Sequence, residues 1–431
     1  ILAVLAAGTP VAVWSAVACV GFAADAPPAA EAPTLQVTEK PLMQAAEPNA
    51  RWRSLADGPN AERFAVPVRT GDRWRIMDDR ALSERVFVGY AIDGFSPSGD
   101  RLAYVALLSK DPQRVLVHVD GLEDRVWARI AGDSDKSGQH SEFSPDGRHY
   151  VYTALDEEGW HVVYDGQAQP AHDEIYFPTF SADGGRWGYV ARDGMEYSAV
   201  IDGEEQAPFD SVRQGGVVFS SDGKRWAYQA GTDDEEFVVT DRGRSPAYDW
   251  ANLPVFSPDG RHCTYRAKLE GKTRVVIDGQ LHPRAFDGVG GPTYAANGQL
   301  VFIGGNMSEG SRLYVDGEPG ENLYRFYGAD SLLTGPRGRT AFISGPDKTA
   351  WFYVVDDQPQ REFAVPPRGF RFSPDGRHYA YGGLDDKYWV MMLDGQRQVK
   401  AEKLSPPLFS ADGEHLAYTA LKHERWHLVL D

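Results

Sequence analysis

The 431-residue chain is 42% hydrophobic and 12% aromatic, enough for a large buried core, and its 45 glycines and 28 prolines suit a path with many turns. Its 62 acidic residues outnumber 44 basic ones, for a formal net charge of −18; such a surface repels polyanions and argues against nucleic acid or anionic lipid as a partner. Of the two cysteines, Cys19 lies in a segment expected to be removed, so no intramolecular disulfide is expected and Cys263 reads as a buried free thiol.

Residues 1–24 carry no charge and are mostly Ala, Val and Leu, starting at Ile1. They have the character of the apolar part of a secretory signal, with cleavage after Ala16-Val17-Ala18 or Gly21-Phe22-Ala23 and a mature chain beginning between residues 19 and 25. A membrane anchor or a lipoprotein site at Cys19 are the other readings, the anchor being the one way in which a membrane would be a partner. Residues 25–50 form a Pro/Ala-rich linker with little to bury. Export to the periplasm or the extracellular space is the expected localisation. Residues 51–92 hold Trp74-Arg-Ile-Met-Asp78 and Val86-Phe-Val-Gly-Tyr90, which read as a partial N-terminal blade.

From residue 93 to 431 the chain repeats. The block Phe143-Ser-Pro-Asp-Gly147, followed by Arg148-His-Tyr-Val-Tyr152, reads as strand, tight turn and strand: Pro sets φ, Asp bonds the following backbone, and Gly accepts positive φ. Copies begin at Phe95, Phe180, Phe219, Phe256, Phe372 and Phe409, with a weaker one at Tyr294 and a decayed one at Leu333. The interval is 37 to 39 residues, except for one of 48 between Phe95 and Phe143. Each unit carries four strand signals, the third ending in Asp-Gly, as in Trp160-His-Val-Val-Tyr-Asp165-Gly166. The fourth is variable and often has an aromatic residue before Asp, as at Phe209-Asp210 and Tyr248-Asp249. The fold class this predicts is all-β, a β-propeller of four-stranded antiparallel blades with about nine repeats visible. Two readings stand for the last repeat, which stops at Asp431 after its third strand: residues 82–90 close a ring by supplying its fourth strand, or the sequence is a piece of a longer or two-propeller chain.

Over roughly residues 64–431 the Phe-Ser-Pro-Asp-Gly block resembles the Pro-Asp variety of WD40-like propeller repeats, found in TolB-like periplasmic proteins. The resemblance implies a binding scaffold of the bacterial envelope; its other relatives include regulatory propellers of prolyl-oligopeptidase-like peptidases and some polysaccharide lyases. Its signature residues are turn and core residues, so it speaks to fold before function.

Candidate chemistry outside the repeat is sparse. His423-Glu424-Arg425-Trp426-His427 matches the His-Glu-x-x-His string of zinc proteases, but it straddles a turn and the start of a third strand, so no helical face unites its histidines. Asp133, Asp135 and Ser137, followed by Gly138, resemble the start of a calcium loop inside the long interval, although Ser144 stands where a bidentate Glu is needed. No other cofactor is expected. Trp160, Trp351, Trp389 and Trp426 recur at one blade position, as do His149, His262 and His378 at another, which argues for packing over ligand binding. No Gly-x-Ser-x-Gly or Walker loop occurs, and no catalytic residue is assigned.

The functional expectation rests on the loops between second and third strands. Asp156-Glu157-Glu158, Asp233-Asp234-Glu235-Glu236 and Asp385-Asp386 place carboxylates at one end of their blades. They predict a non-enzymatic exported scaffold that binds a protein or peptide with a basic surface. A polysaccharide-active propeller enzyme and the regulatory propeller of a larger peptidase are the alternatives.

Overall fold

The computed structural model describes residues 56–57, 63–79, 81–111, 113–131, 141–212, 215–232, 234–252, 254–306, 308–325, 331–347 and 350–430. Segments 1–24 and 25–50, the calcium-loop residues Asp133, Asp135 and Ser137, and Asp233 lie outside this set. The chain divides into two compact units, Ile1–Pro178 and Thr179–Asp431.

The fold is all-β and of β-propeller type. Among the described residues, ten antiparallel sheets follow one another along the chain, most of them four-stranded. The Phe219 blade shows the plan. Its first strand is split into Ser211–Val212 and Val218–Phe219, both pairing with Trp226–Thr232; Glu235–Thr240 and Gly243–Arg244 follow outward. In the earliest sheet, Phe64–Thr70 pairs with Arg73–Asp78, and Leu82 and Phe87 bridge to Met77 and Trp74 of that strand. Residues 82 and 87 thus supply the outer strand of their own blade.

Most second strands, such as Tyr150–Leu155, are buried on both faces, whereas Leu416–Lys422 alternates buried and part-buried residues. Tyr150, Val151, Tyr152, Thr153 and Ala154 are all at most 3% exposed. The face that carries Tyr150, Tyr152 and Ala154 packs on Ala103, Val115 and Val117 of the preceding blade in the same unit. In the second unit, Val275 and Phe286 of one blade pack with Leu300, Phe302 and Tyr314 of the next. The fourth strand is short, and its aromatic residue is fastened by a bridge to the start of the third strand: Tyr197 to Phe209, Glu236 to Tyr248, Thr273 to Phe286, Trp351 to Phe363. Those rings are buried, and Phe286 and Phe363 lie against second-strand glycines, Gly304 and Gly383. At Gly383 a Cβ would lie 2.2 Å from the Phe363 ring.

Within the Phe-Ser-x-Asp-Gly block the phenylalanines occupy equivalent places, but they are only partly buried; the serines are the buried residues, with Ser144, Ser220 and Ser373 fully inaccessible. Ser220 Oγ donates to Asp222 Oδ1 at 2.7 Å and accepts the Arg225 N–H at 3.0 Å. The same pair of bonds recurs at Ser144, Ser181, Ser257 and Ser373. The serine hydroxyl is the main reason why Asp222, Asp259 and Asp375 sit below the usual carboxylate range, Asp222 at about 2. A depressed folded value means that this stabilisation is complete above the unfolded value, about 4, and is lost as pH falls toward about 2. The thermal midpoint of Ser220→Ala is therefore expected to lie below that of the parent at pH 6, with the gap narrowing steadily between about pH 4 and pH 2. A gap that is constant with pH in differential scanning fluorimetry refutes this account.

The Asp that ends each third strand closes the blade. Asp202, Asp278 and Asp394 adopt φ near 50°, each before a Gly with positive φ, as a type I′ turn requires. One carboxylate oxygen accepts the first N–H of the second strand, at 3.0 Å for Asp202 and Trp187, and the other meets the preceding basic residue. That residue is Arg186 (2.7 Å to Asp202), Arg225 (3.2 Å to Asp241) or Arg339 (2.8 Å to Asp356), and histidine at His262 and His378, each 2.6 Å from its Asp. The arginines go further. Their Nη1 donates to a carbonyl of the next blade's turn (Arg225 to Arg261 at 2.7 Å, Arg339 to Arg377 at 3.1 Å), and the guanidinium covers the next blade's Phe, 5.2 Å from the Phe256 and Phe372 rings. This cover is why those phenylalanines need no deeper burial.

Candidate functional site

The loops that join second to third strands lie at the end of each blade opposite the Ser-x-Asp-Gly turns. They are short hairpins, closed by the pairs Asp193↔Glu196, Thr232↔Glu235 and Asp385↔Tyr388, with Gly194 and Asp386 at φ of 61° and 58°. In each acidic loop the structure divides the carboxylates into two sets.

One set is consumed by the fold. In the first unit, Asp156 Oδ1 accepts the Glu158 N–H at 2.9 Å and meets His161 Nε2 at 3.0 Å, while Oδ2 meets Arg125 at 2.8 Å. Burial pushes its carboxyl up, but the bonds from His161 and Glu158 and the charge of Arg125 together hold it below the usual range. In the second unit, Glu236 Oε2 accepts from Gln229 Nε2 at 2.8 Å and from the Ala251 N–H at 2.7 Å. Asp385 Oδ2 is shared by Arg361 and Arg397, both at 3.3 Å.

The other set faces solvent: Glu157 and Glu158 in the first unit, and Asp234, Glu235 and Asp386 in the second. The fixed carboxylate anchors the hairpin, and its neighbours are displayed on an ordered turn. The sequence alone does not separate the sets, because the anchoring partners are 5 to 31 residues away from Asp156 and as far as 24 from Asp385.

A further acidic place emerges in the second unit. Asp193, Glu196 and Glu205, with Ser198, Gln206 and Pro208, line a cleft of about 300 Å³ beside the Gly194 hairpin. Met195, at its tip, is 84% exposed. The signal was present in the sequence as Asp193-Gly-Met-Glu196 and the Glu204-Glu205 pair after the Asp202-Gly203 turn, and only the pairing of Val200 with Glu205 brings the two together.

The remaining candidates are placed as follows. His423 and Glu424 form a hairpin turn with φ of 48° and 63°, and His427 lies in the strand Arg425–Leu430. Trp160, Trp351 and Trp389 are partly buried in their blades, whereas Trp426 is 58% exposed. Cys263 is a buried free thiol whose pKa burial pushes up to about 12, so it stays protonated at neutral pH. Among the described residues, no group of three or more His, Cys, Asp and Glu is disposed to hold a metal ion, and no helix is long and apolar enough to cross a membrane.

No protein-family model matches the chain, and no curated protein matches it. Solved structures similar to it include a eukaryotic initiation factor, at 12% identity over 90% of this chain and 86% of that one with a TM-score of 0.39. The Dos1 propeller is similar at 11% identity over 88% and 91%, with a TM-score of 0.33. The Swd1 propeller domain of Myceliophteria thermophila is similar at 11% identity over 70% and 97%, with a TM-score of 0.28. Likeness at this level says nothing about what the chain binds.

Proposed function

We propose that the chain is a non-enzymatic exported scaffold, of the Pro-Asp type of WD40-like repeat seen in TolB-like proteins, that binds a basic protein or peptide segment through its second-to-third-strand loops. One observation carries the reading. Each acidic hairpin commits one carboxylate, Asp156, Glu236 or Asp385, to holding the loop, and leaves its neighbours exposed on a preformed turn. Preorganised charge loses little entropy on binding and steers an oppositely charged partner at low salt. The uncharged segment 1–24 and the Pro/Ala-rich segment 25–50 support delivery to the periplasm or the extracellular space.

The test is fluorescence anisotropy with a labelled Lys/Arg-rich peptide and a Glu/Asp-rich control at several salt concentrations. The basic peptide is expected to bind and to weaken as salt rises, because the Debye length shrinks from about 30 Å at 0.01 M to about 8 Å at 0.15 M. Changing Glu157, Glu158, Asp234, Glu235 and Asp386 to Ser should abolish the salt-dependent part while leaving the circular dichroism unchanged. Equal affinity and equal salt dependence in parent and variant would sink the reading.

A further inference from the structure

At three places in the second unit an arginine clasps one blade to the next, and His262, Gln299 and His378 stand where that arginine is missing. Arg186, Arg225 and Arg339 each meet the Asp of their own blade, donate Nη1 to a turn carbonyl of the following blade, and lie over its Phe219, Phe256 or Phe372 ring. The corresponding residue before the Tyr294 block is His262. Its Nδ1 fills the place of the arginine Nε, 2.6 Å from Asp278, and the imidazole ends there.

What the missing guanidinium leaves is a groove of about 600 Å³, lined by the turn of one blade (Ser257, Pro258, Asp259), by His262, and by Ala296 to Gln299 and Asp316 of the next. No lysine or arginine lines it. The next blade departs from the repeat at the same spot. Gln299 stands where the others carry Arg or His, so Asp316, whose Oδ1 accepts the Leu300 N–H at 2.9 Å, has no basic side chain opposite it among the described residues. Gln299 instead accepts from Asn297 Nδ2 at 2.5 Å. Tyr294 holds the sequence place of Phe219, Phe256 and Phe372.

We infer that this groove binds a guanidinium group, supplied by an arginine side chain or by free arginine. The template is the protein's own: Arg225 Nη1 donates to a turn carbonyl of the next blade and lies 3.9 Å from that blade's Asp278, and a guanidinium in the groove would meet the 296–299 turn and Asp316 in the same way. Guanidinium is favoured over ammonium because it is planar, weakly hydrated and able to serve two acceptors at once. The site lies at the turn end of its blades, opposite the acidic hairpins, and does not depend on the function proposed for them.

The experiment is isothermal titration calorimetry of the full chain with N-acetyl-arginine amide, its neutral isostere N-acetyl-citrulline amide, free arginine and the tripeptide Gly-Arg-Gly. The arginine amide is expected to bind and the citrulline amide to bind about tenfold more weakly or not at all, the size of a lost charge-assisted hydrogen bond. His262→Arg fills the groove with the chain's own guanidinium, and is expected to abolish binding and to raise the thermal midpoint. Asp316→Asn, which keeps the Leu300 bond, is expected to weaken binding without altering the fold, and decides the matter should His262→Arg fold poorly. Tighter binding of Gly-Arg-Gly than of free arginine assigns a peptide ligand, and the reverse assigns a small molecule; either supports the site. Equal binding of the citrulline amide, or arginine binding that survives Asp316→Asn undiminished, overturns it.

Discussion

Arg225→Ala is expected to destabilise the second unit by about 3 kcal/mol, because truncating one partner of a buried ion pair leaves the other charge stranded. Arg225 is 8% exposed, and its loss strips Asp241 of its partner, the Arg261 carbonyl of its donor and the Phe256 ring of its cover. Arg225→Lys should recover only part of the loss, since one ammonium cannot reach both acceptors and lie flat on a ring. Arg186→Ala is the internal control. Its side chain is 27% exposed and its Nη1 bond is longer, 3.3 Å, so its cost should be near the ~1 kcal/mol of a surface pair. Urea unfolding followed by circular dichroism ranks the three variants. A cost for Arg225→Ala no greater than for Arg186→Ala would show that the clasp contributes nothing beyond a surface pair.

Phe302→Ala should cost about 3–5 kcal/mol, the range for deleting a buried aromatic side chain. Phe302 is fully inaccessible, stacks on Tyr314 at 4.7 Å with the rings within 4° of parallel, and meets the Phe286 edge at 5.9 Å. Its cluster joins residues of the Phe256 and Tyr294 blades, so the cavity opens at a junction between repeats. Stability in stacked repeats is close to a sum of unit and nearest-neighbour contributions. Hydrogen exchange should therefore show the earliest loss of protection in Cys263–Leu269 and Leu300–Asn306, with Tyr379–Asp385 affected last. Uniform loss across the unit would contradict the nearest-neighbour account.

Much of the blade is legible in the sequence, and particular residues show where legibility stops. The Ser-Pro-Asp-Gly turn, the Asp-Gly turn and the fourth-strand aromatic are local signals, and Phe209, Tyr248 and Asp278 occupy the places that those signals imply. The depth of Phe256 could not be read, because its cover is a guanidinium from residue 225, in another blade. Nor could the burial of Val151 and Thr153 beside Tyr150, Tyr152 and Ala154, since the periodicity of one strand does not say whether one face or both are covered. In the acidic loops, composition identified the carboxylates but not their roles: Asp156 and Asp385 look as exposed as Glu157 and Asp386 until Arg125, Arg361 and Arg397 are placed beside them. The His262 groove had a visible trace, the replacement of Arg by His followed by Gln299 in the next copy. Its meaning depended on knowing that the arginines reach forward.

The alternation of arginine and histidine at this position also bears on how such a chain diversifies. An arginine codon of the CGU or CGC kind becomes a histidine codon through a single base change. That change keeps the pairing that closes a blade, as His262 with Asp278 and His378 with Asp394 show, and removes only the reach toward the neighbour. Duplicated copies can thus drift individually between a sealed seam and an open one without passing through an unfolded intermediate genotype, and each opened seam is raw material on which selection for a ligand can act.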